Sequence, residues 1–201
     1  KLNLDIRLGD YIGIYGKSGS GKSTFINLFS GLLKQDEGDF LLNDNKIDVN
    51  SSSWKKNIGY VPQSIFLNNE TIRENIAFGE KKENINNAKV IEVLKKVQLY
   101  NFVTEKKDGI DTVISDNSLN LSGGQIQRIG IARALYRNPK ILIFDESTNS
   151  LDFETEKEFM KVVYKLREDK IVIFVSHKIS LLEDCNKIYE FKNKNLHLKI
   201  N

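Results

Sequence analysis

The chain has 201 residues, 40% of them hydrophobic and 28% charged, with a net charge of +3. That length suits one sizeable domain with a real core, and the weak, mixed charge gives no basis for a nucleic-acid surface. A single cysteine, Cys185, excludes an internal disulfide, and no apolar run approaches the ~20 residues of a membrane-crossing helix.

Residues 1–8 alternate apolar and polar side chains (Leu2, Leu4, Ile6, Leu8) and predict a half-buried strand. Gly9-Asp10 signals a turn before a second strand over 11–15. The glycine-rich stretch GKSGSGKST (16–24) comes next, and 22–33 has Phe25, Ile26, Leu28, Phe29 and Leu32 at helical spacing. Two short strands, 40–42 and 47–49, flank 43–46 and read as a hairpin, with Asn45 at a turn position where glycine is expected. Strand 58–61 stops at Pro62. Residues 64 to about 120 change character and read as a mostly helical insert; 84–103 shows a helical pattern of Ala88, Ile91, Leu94 and Val97, with Val90 flanking. From Gln125 the alternation of strands and helices returns. A helix over 125–137 is closed by Asn138-Pro139, followed by strand 141–144 and helix 153–168, which puts Phe159, Val162, Val163 and Leu166 on one face. Strand 171–175 and a helix over 178–185 complete it. Strands joined by helices imply a mostly parallel sheet covered on both faces. The chain opens without Met inside an alternating pattern and is expected to be a piece of a longer protein.

The stretch at 16–24 fits G-x-x-x-x-G-K-[ST] at Gly16, Gly21, Lys22 and Ser23, between a predicted strand and a predicted helix. Glycines let backbone wrap closely around an anion, and the following helix adds the positive end of its dipole. Lys22 is placed to reach the β- and γ-phosphates of a nucleotide and the Ser23 hydroxyl to ligate Mg²⁺. Strand 141–144 ends in Asp145-Glu146. A parallel strand delivers its carboxyl end to the phosphate site, so Asp145 is the expected metal carboxylate and Glu146 the expected base for an attacking water. Leu121-Ser122-Gly123-Gly124-Gln125 reads either as a second anion cradle, a serine-capped helix start with exposed glycine amides, or as an ordinary capped helix.

Together these motifs resemble the nucleotide-binding domain of ABC transporters over nearly the whole chain. The resemblance implies a P-loop NTPase (RecA-like) α/β fold: a mostly parallel sheet flanked by helices over 1–63 and 138–201, with a small antiparallel β part, and a helical subdomain over 64–137 that carries the signature motif. Gly16, Lys17, Ser18, Gly19, Ser20, Gly21, Lys22, Ser23 and Thr24 correspond to the Walker A loop, 141–146 to Walker B with its catalytic Glu146, and Ser122, Gly123, Gly124 and Gln125 to the LSGGQ signature. Gln63 falls at the Q-loop glutamine, a ligand of Mg²⁺, Ser150-Leu151-Asp152 at the D-loop, and His177 at the switch histidine. The family implies ATP and Mg²⁺ as cofactors and a second copy of the domain as partner. Each ATP then lies between the glycine loop of one copy and LSGGQ of the other, and Asp152 acts across the interface.

Residues 66–79 and 109–112 resemble exporter-type domains, most of all flippases of lipid-linked oligosaccharides and polysaccharide exporters. That implies transmembrane helices fused ahead of Lys1, a place at the cytoplasmic face of a membrane, and no nucleic-acid partner. The family stacks adenine on an aromatic residue upstream of the first strand, so weak ATP affinity is expected of this chain; Tyr11 reads as a strand residue. Ser115-Asp116-Asn117-Ser118 stands where exporters commonly have a Gly/Glu-rich stretch. The alternatives are a soluble ATPase of the same family, acting in translation or repair, and a degenerate domain that binds ATP only as an interaction partner.

Overall fold

A computed structural model describes residues 2–115, 121–149 and 151–199. The elements are β1 (Tyr11–Tyr15), α1 (Lys22–Phe29), β2 (Phe40–Leu42), β3 (Asn45–Ile47), α2 (Ser52–Lys55), β4 (Ile58–Val61), α3 (Ile72–Ile76), α4 (Asn87–Lys96), α5 (Tyr100–Thr104), α6 (Gly123–Tyr136), β5 (Ile141–Asp145), α7 (Phe153–Leu166), β6 (Ile171–Val175), β7 (Lys187–Lys192) and β8 (Asn195–Lys199). They fall into two compact units, one of residues 1–60, 139–146 and 166–201, the other of 61–138 and 147–165.

The first unit is built on a sheet of order β4-β5-β6-β1-β7-β8. The β5–β6, β6–β1 and β1–β7 pairs are parallel, and β7–β8 is an antiparallel hairpin. β1 is buried along its whole length, which is why it reads as an apolar run and not as an alternation. Phe25, Ile26 and Phe29 of α1 pack on Ile12, Ile14 and Ile173 of the sheet; burying each such side chain contributes about 1.5–3 kcal/mol. The register aligns Asp145, Val175 and Ile14 in one row. Whatever follows β1, β5 and β6 therefore emerges at one edge.

Several elements differ from the sequence-based expectation. Residues 2–6 form no strand; Leu4 and Ile6 pack on the core, but burial of one face makes a strand only where a neighbouring edge offers hydrogen bonds. α1 ends at Phe29, not residue 33. Gly31 turns left-handed at φ 70°, and the Leu32 and Leu33 amides both donate to Asn27 O, at 2.8 and 3.0 Å. A Cβ on Gly31 would overlap the Val49 carbonyl, and Leu32 is left 65% exposed. The hairpin turns on Asn43 and Asp44, at φ 51° and 64°, so Asn45 belongs to β3 and not to the turn; two successive left-handed residues match the twist of a two-residue loop. The segment after β6 is a single 3-10 turn over 179–182, and its Leu182 and Cys185 cover Gly13, where a Cβ would lie 3.0 Å from Leu182 Cβ. Burial pushes the Cys185 thiol up to about 12, consistent with a small packing residue. The β7–β8 hairpin was not expected.

In the second unit, α3 and α4 pack against α6. The helix expected over 84–103 is two helices, broken where Gln98 adopts φ 58°. The buried face is Val90, Val93, Leu94 and Val97, whereas Ala88 is exposed and Ile91 half-buried. α6 begins at Gly123, two residues earlier than expected. Residues 116–118 of the stretch before the signature, and Ser150, lie outside the described residues.

α3 starts with a reciprocal cap: Thr71 Oγ1 accepts from the Glu74 amide, and the Glu74 carboxylate accepts from the Thr71 amide at 2.9 Å. Lys82 lies 2.7 Å from that carboxylate. Hydrogen bonds from Lys82 and Thr71 pull Glu74 down to about 2, against the opposing effect of burial. A depressed carboxylate contributes stability above its unfolded value of ~4.3 and loses it as pH falls through the folded value. Wild-type melting temperature is therefore expected to fall between about pH 4.5 and 2, and Glu74→Gln to show a flatter fall over that window. Equal slopes in thermal melts of the two proteins would contradict the cap's role.

Candidate active site

The chain leaves β1 through Gly16 and enters α1 at Lys22, capped by Gly21 at φ 114° with no side-chain acceptor. The first-turn amides of α1 therefore face outward without a partner of the helix's own making. Glycine is required at the loop's two ends. A Cβ at Gly16 would lie 2.5 Å from the Phe191 carbonyl oxygen, and one at Gly21 would meet the Phe191 ring at 3.0 Å. Ser20 Oγ is buried in the loop and has no hydrogen-bond partner among the described residues. An uncapped helix start and an orphaned hydroxyl together fit an anion supplied from outside.

Lys22 is only 5% exposed. Its ammonium donates to the carbonyls of Gly16 (2.8 Å) and Lys17 (3.1 Å) and stands 3.9 Å from Glu146 Oε1. Burial holds its pKa below the ordinary lysine value, with Glu146 and Asp145 working the other way. The ammonium is thus poorly solvated and held over the loop by short contacts.

β5 ends at Asp145, whose Oδ2 accepts a hydrogen bond from the Tyr60 hydroxyl at 2.9 Å. Burial raises the Asp145 pKa; the Tyr60 bond opposes this, the neighbouring Glu146 charge adds to it, and Lys22 opposes it. A bound cation would relieve that desolvation. The oxygen donors available here, the Asp145 carboxylate and the exposed Ser23 hydroxyl on the first turn of α1, suit a hard ion such as Mg²⁺. No group of three or more His, Cys, Asp or Glu among the described residues could hold a metal without help.

Glu146 sits at φ 51° with its amide donating to Val175 O at 2.9 Å. A left-handed turn at a non-glycine residue is uncommon. Glu146 Oε1 lies 2.6 Å from His177 Nε2, just past the end of β6. The first unit thus brings together the loop 16–24, Asp145, Glu146 and His177.

Gln63, Ser122, Gly123, Gly124, Gln125 and Asp152 belong to the second unit. Gln63 is exposed, and its backbone carbonyl accepts from Gln127 Nε2 at 3.1 Å. Ser122 caps α6 reciprocally: its Oγ accepts from the Gln125 amide at 3.2 Å and Gln125 Oε1 accepts from the Ser122 amide at 2.8 Å. That leaves the Gly123 and Gly124 amides for another group. A Cβ on Gly124 would overlap Thr155 Cγ2 of α7, whereas Gly123 has room for one, so packing within the chain accounts for only one of the two glycines. Asp152 is exposed and caps α7, its carboxylate accepting from the Thr155 amide (3.0 Å) and hydroxyl (2.7 Å). Two contacting residues, Tyr60 and Gln127, have no role in the sequence-based expectation, whereas Ser20 is expected there as part of the loop 16–24. Tyr60 and Gln127 meet residues far away along the chain, and no local pattern signals either contact.

A glycine loop at the end of a central parallel strand, with an acidic strand end beside it, defines a P-loop nucleotide-binding domain. The family profile described as ABC transporter matches residues 1–149, and the chain belongs to that family. It is 37% identical, over 99% of its length, to the ATP-dependent lipid A-core flippase of Pasteurella multocida (strain Pm70), covering 35% of that protein. It is 39% identical, over 93% of its length, to the leukotoxin translocation ATP-binding protein LktB of Mannheimia glucosida, covering 26% of that protein. The structure of a bacterial Atm1-family ABC exporter with ATP bound superposes with a TM-score of 0.82 at 32% identity, over 97% of this chain and 34% of that one. The chain thus spans about a third or less of the length of each of these relatives. No helix among the described residues is long and apolar enough to cross a membrane.

Proposed function

We propose that the chain is the ATP-hydrolysing motor of an ABC exporter or flippase, at the cytoplasmic face of a membrane, with membrane-spanning helices fused ahead of it. The observation that carries this reading is the convergence of Lys22, Asp145, Glu146 and His177 on the loop 16–24, at the carboxyl ends of neighbouring parallel strands. The relatives named above support the exporter type.

The loop amides of residues 16–24 bind the triphosphate of ATP, and Lys22 sets its ammonium against the β- and γ-phosphates. Ser23, Asp145 and Gln63 would hold Mg²⁺, which would supply positive charge against the phosphates. Glu146 accepts a proton from the attacking water. His177, whose Nε2 lies 2.6 Å from Glu146 Oε1, fixes the orientation of that carboxylate and reaches the γ-phosphate. Two copies pair head to tail, with Ser122, Gly123, Gly124 and Gln125 of one copy closing on the ATP of the other and Asp152 lying at their interface.

A site completed by a second copy makes the rate per molecule depend on concentration. Phosphate release from ATP and Mg²⁺, measured over a hundredfold range of protein concentration, is expected to show specific activity rising with concentration and to stop when EDTA removes the metal. A specific activity independent of concentration would contradict the paired site.

A further inference from the structure

We propose that Tyr60 is a positioning residue of the magnesium site, its phenol fixing the Asp145 carboxylate in the orientation the ion requires. The inference rests on the reading of Asp145 as a metal-site carboxylate. β4 and β5 are neighbours in the sheet, and Tyr60, the third residue of β4, lies beside the carboxyl end of β5. Its hydroxyl donates to Asp145 Oδ2 at 2.9 Å across a sequence separation of 85 residues.

The contact is not a by-product of core packing. Val61 of the same strand is fully buried, whereas Tyr60 is 38% exposed, so much of its ring lies outside the core while its hydroxyl reaches the carboxylate. A phenol has one proton to give and an ionised carboxylate accepts at two oxygens. One donor on Oδ2 therefore stops the carboxylate from rotating and leaves it acceptor capacity. Metal-ligating carboxylates are commonly held in this way, and removing such a partner typically costs 10–100-fold in metal affinity. Phenylalanine at this position would keep the ring and remove only the donor.

The test is a Mg²⁺ titration of the binding of a fluorescent ATP analogue to wild type, Tyr60→Phe and Asp145→Asn, repeated in EDTA, with a melting temperature for each protein. The expected result is that Tyr60→Phe raises the Mg²⁺ concentration at half-maximal effect by about tenfold or more, while analogue binding in EDTA and the melting temperature stay near wild type. If Asp145→Asn shifts the midpoint and Tyr60→Phe does not, the inference fails and the metal site stands. If neither variant shifts it, the assignment of Asp145 fails and the inference falls with it. A loss in Tyr60→Phe that is equal in Mg²⁺ and in EDTA would make Tyr60 a structural residue and overturn the inference as well.

Discussion

Lys22→Ala is expected to lower affinity for ATP by about 100-fold or more, with little change in melting temperature. Charge-assisted hydrogen bonds are worth about 1.5–3 kcal/mol each, and a phosphate tail engages the ammonium through more than one oxygen. Each 1.4 kcal/mol is tenfold in affinity. The fold does not need this ammonium. Its burial costs desolvation, visible as a lowered pKa, and its partners within the chain are two loop carbonyls and the more distant Glu146. Binding and stability should therefore separate in this variant. Calorimetric or fluorescence titration alongside a thermal melt reads both, and unchanged affinity would remove Lys22 from the phosphate site.

Glu146→Gln is expected to cut turnover by at least about 100-fold, since a positioned general base typically contributes 10²–10⁴, while ATP binding stays equal or tightens. Glutamine keeps the shape and can still hydrogen-bond His177, which lies 2.6 Å from the carboxylate. What it loses is the negative charge 3.9 Å from Lys22, a charge that would oppose an incoming γ-phosphate and that a base requires. With hydrolysis blocked, ATP and Mg²⁺ should hold two copies together. Single-turnover phosphate release and size-exclusion chromatography with ATP measure the two effects. Hydrolysis at the wild-type rate would end the assignment of Glu146 as the base.

The phosphate loop was legible in the sequence because its parts are contiguous: a strand, its glycines, a lysine and a helix start within about fifteen residues. Asp145-Glu146 was legible for the same reason, as the end of an apolar run. The capping of α6 by Ser122 and the inward face of α7 followed from local spacing too. What escaped depends on contacts distant along the chain or on backbone turns with no composition signal. The Tyr60 contact with Asp145 exists only because β4 and β5 are neighbours in the sheet. The break after α4 falls on Gln98, a non-glycine residue at φ 58° that carries no turn signal, so the helical pattern runs through it. In β7 the adjacent Ile188 and Tyr189 are both buried, which hides the two-residue period. The 3-10 turn at 179–182 is short because the chain must return across Gly13 to start β7 beside β1. Residues 2–8 show the converse, a strand-like pattern that pairs with no edge among the described residues.

Every role proposed for this site depends on the backbone of residues 16–24, with Lys22, receiving the triphosphate. Site-resolved amide spectra of the chain, recorded with and without a non-hydrolysable ATP analogue and Mg²⁺, test it most directly. The largest shifts and the greatest gain in protection from hydrogen exchange are expected on the amides of residues 16–24. Shifts centred elsewhere, with those amides unmoved at saturating analogue, would contradict it.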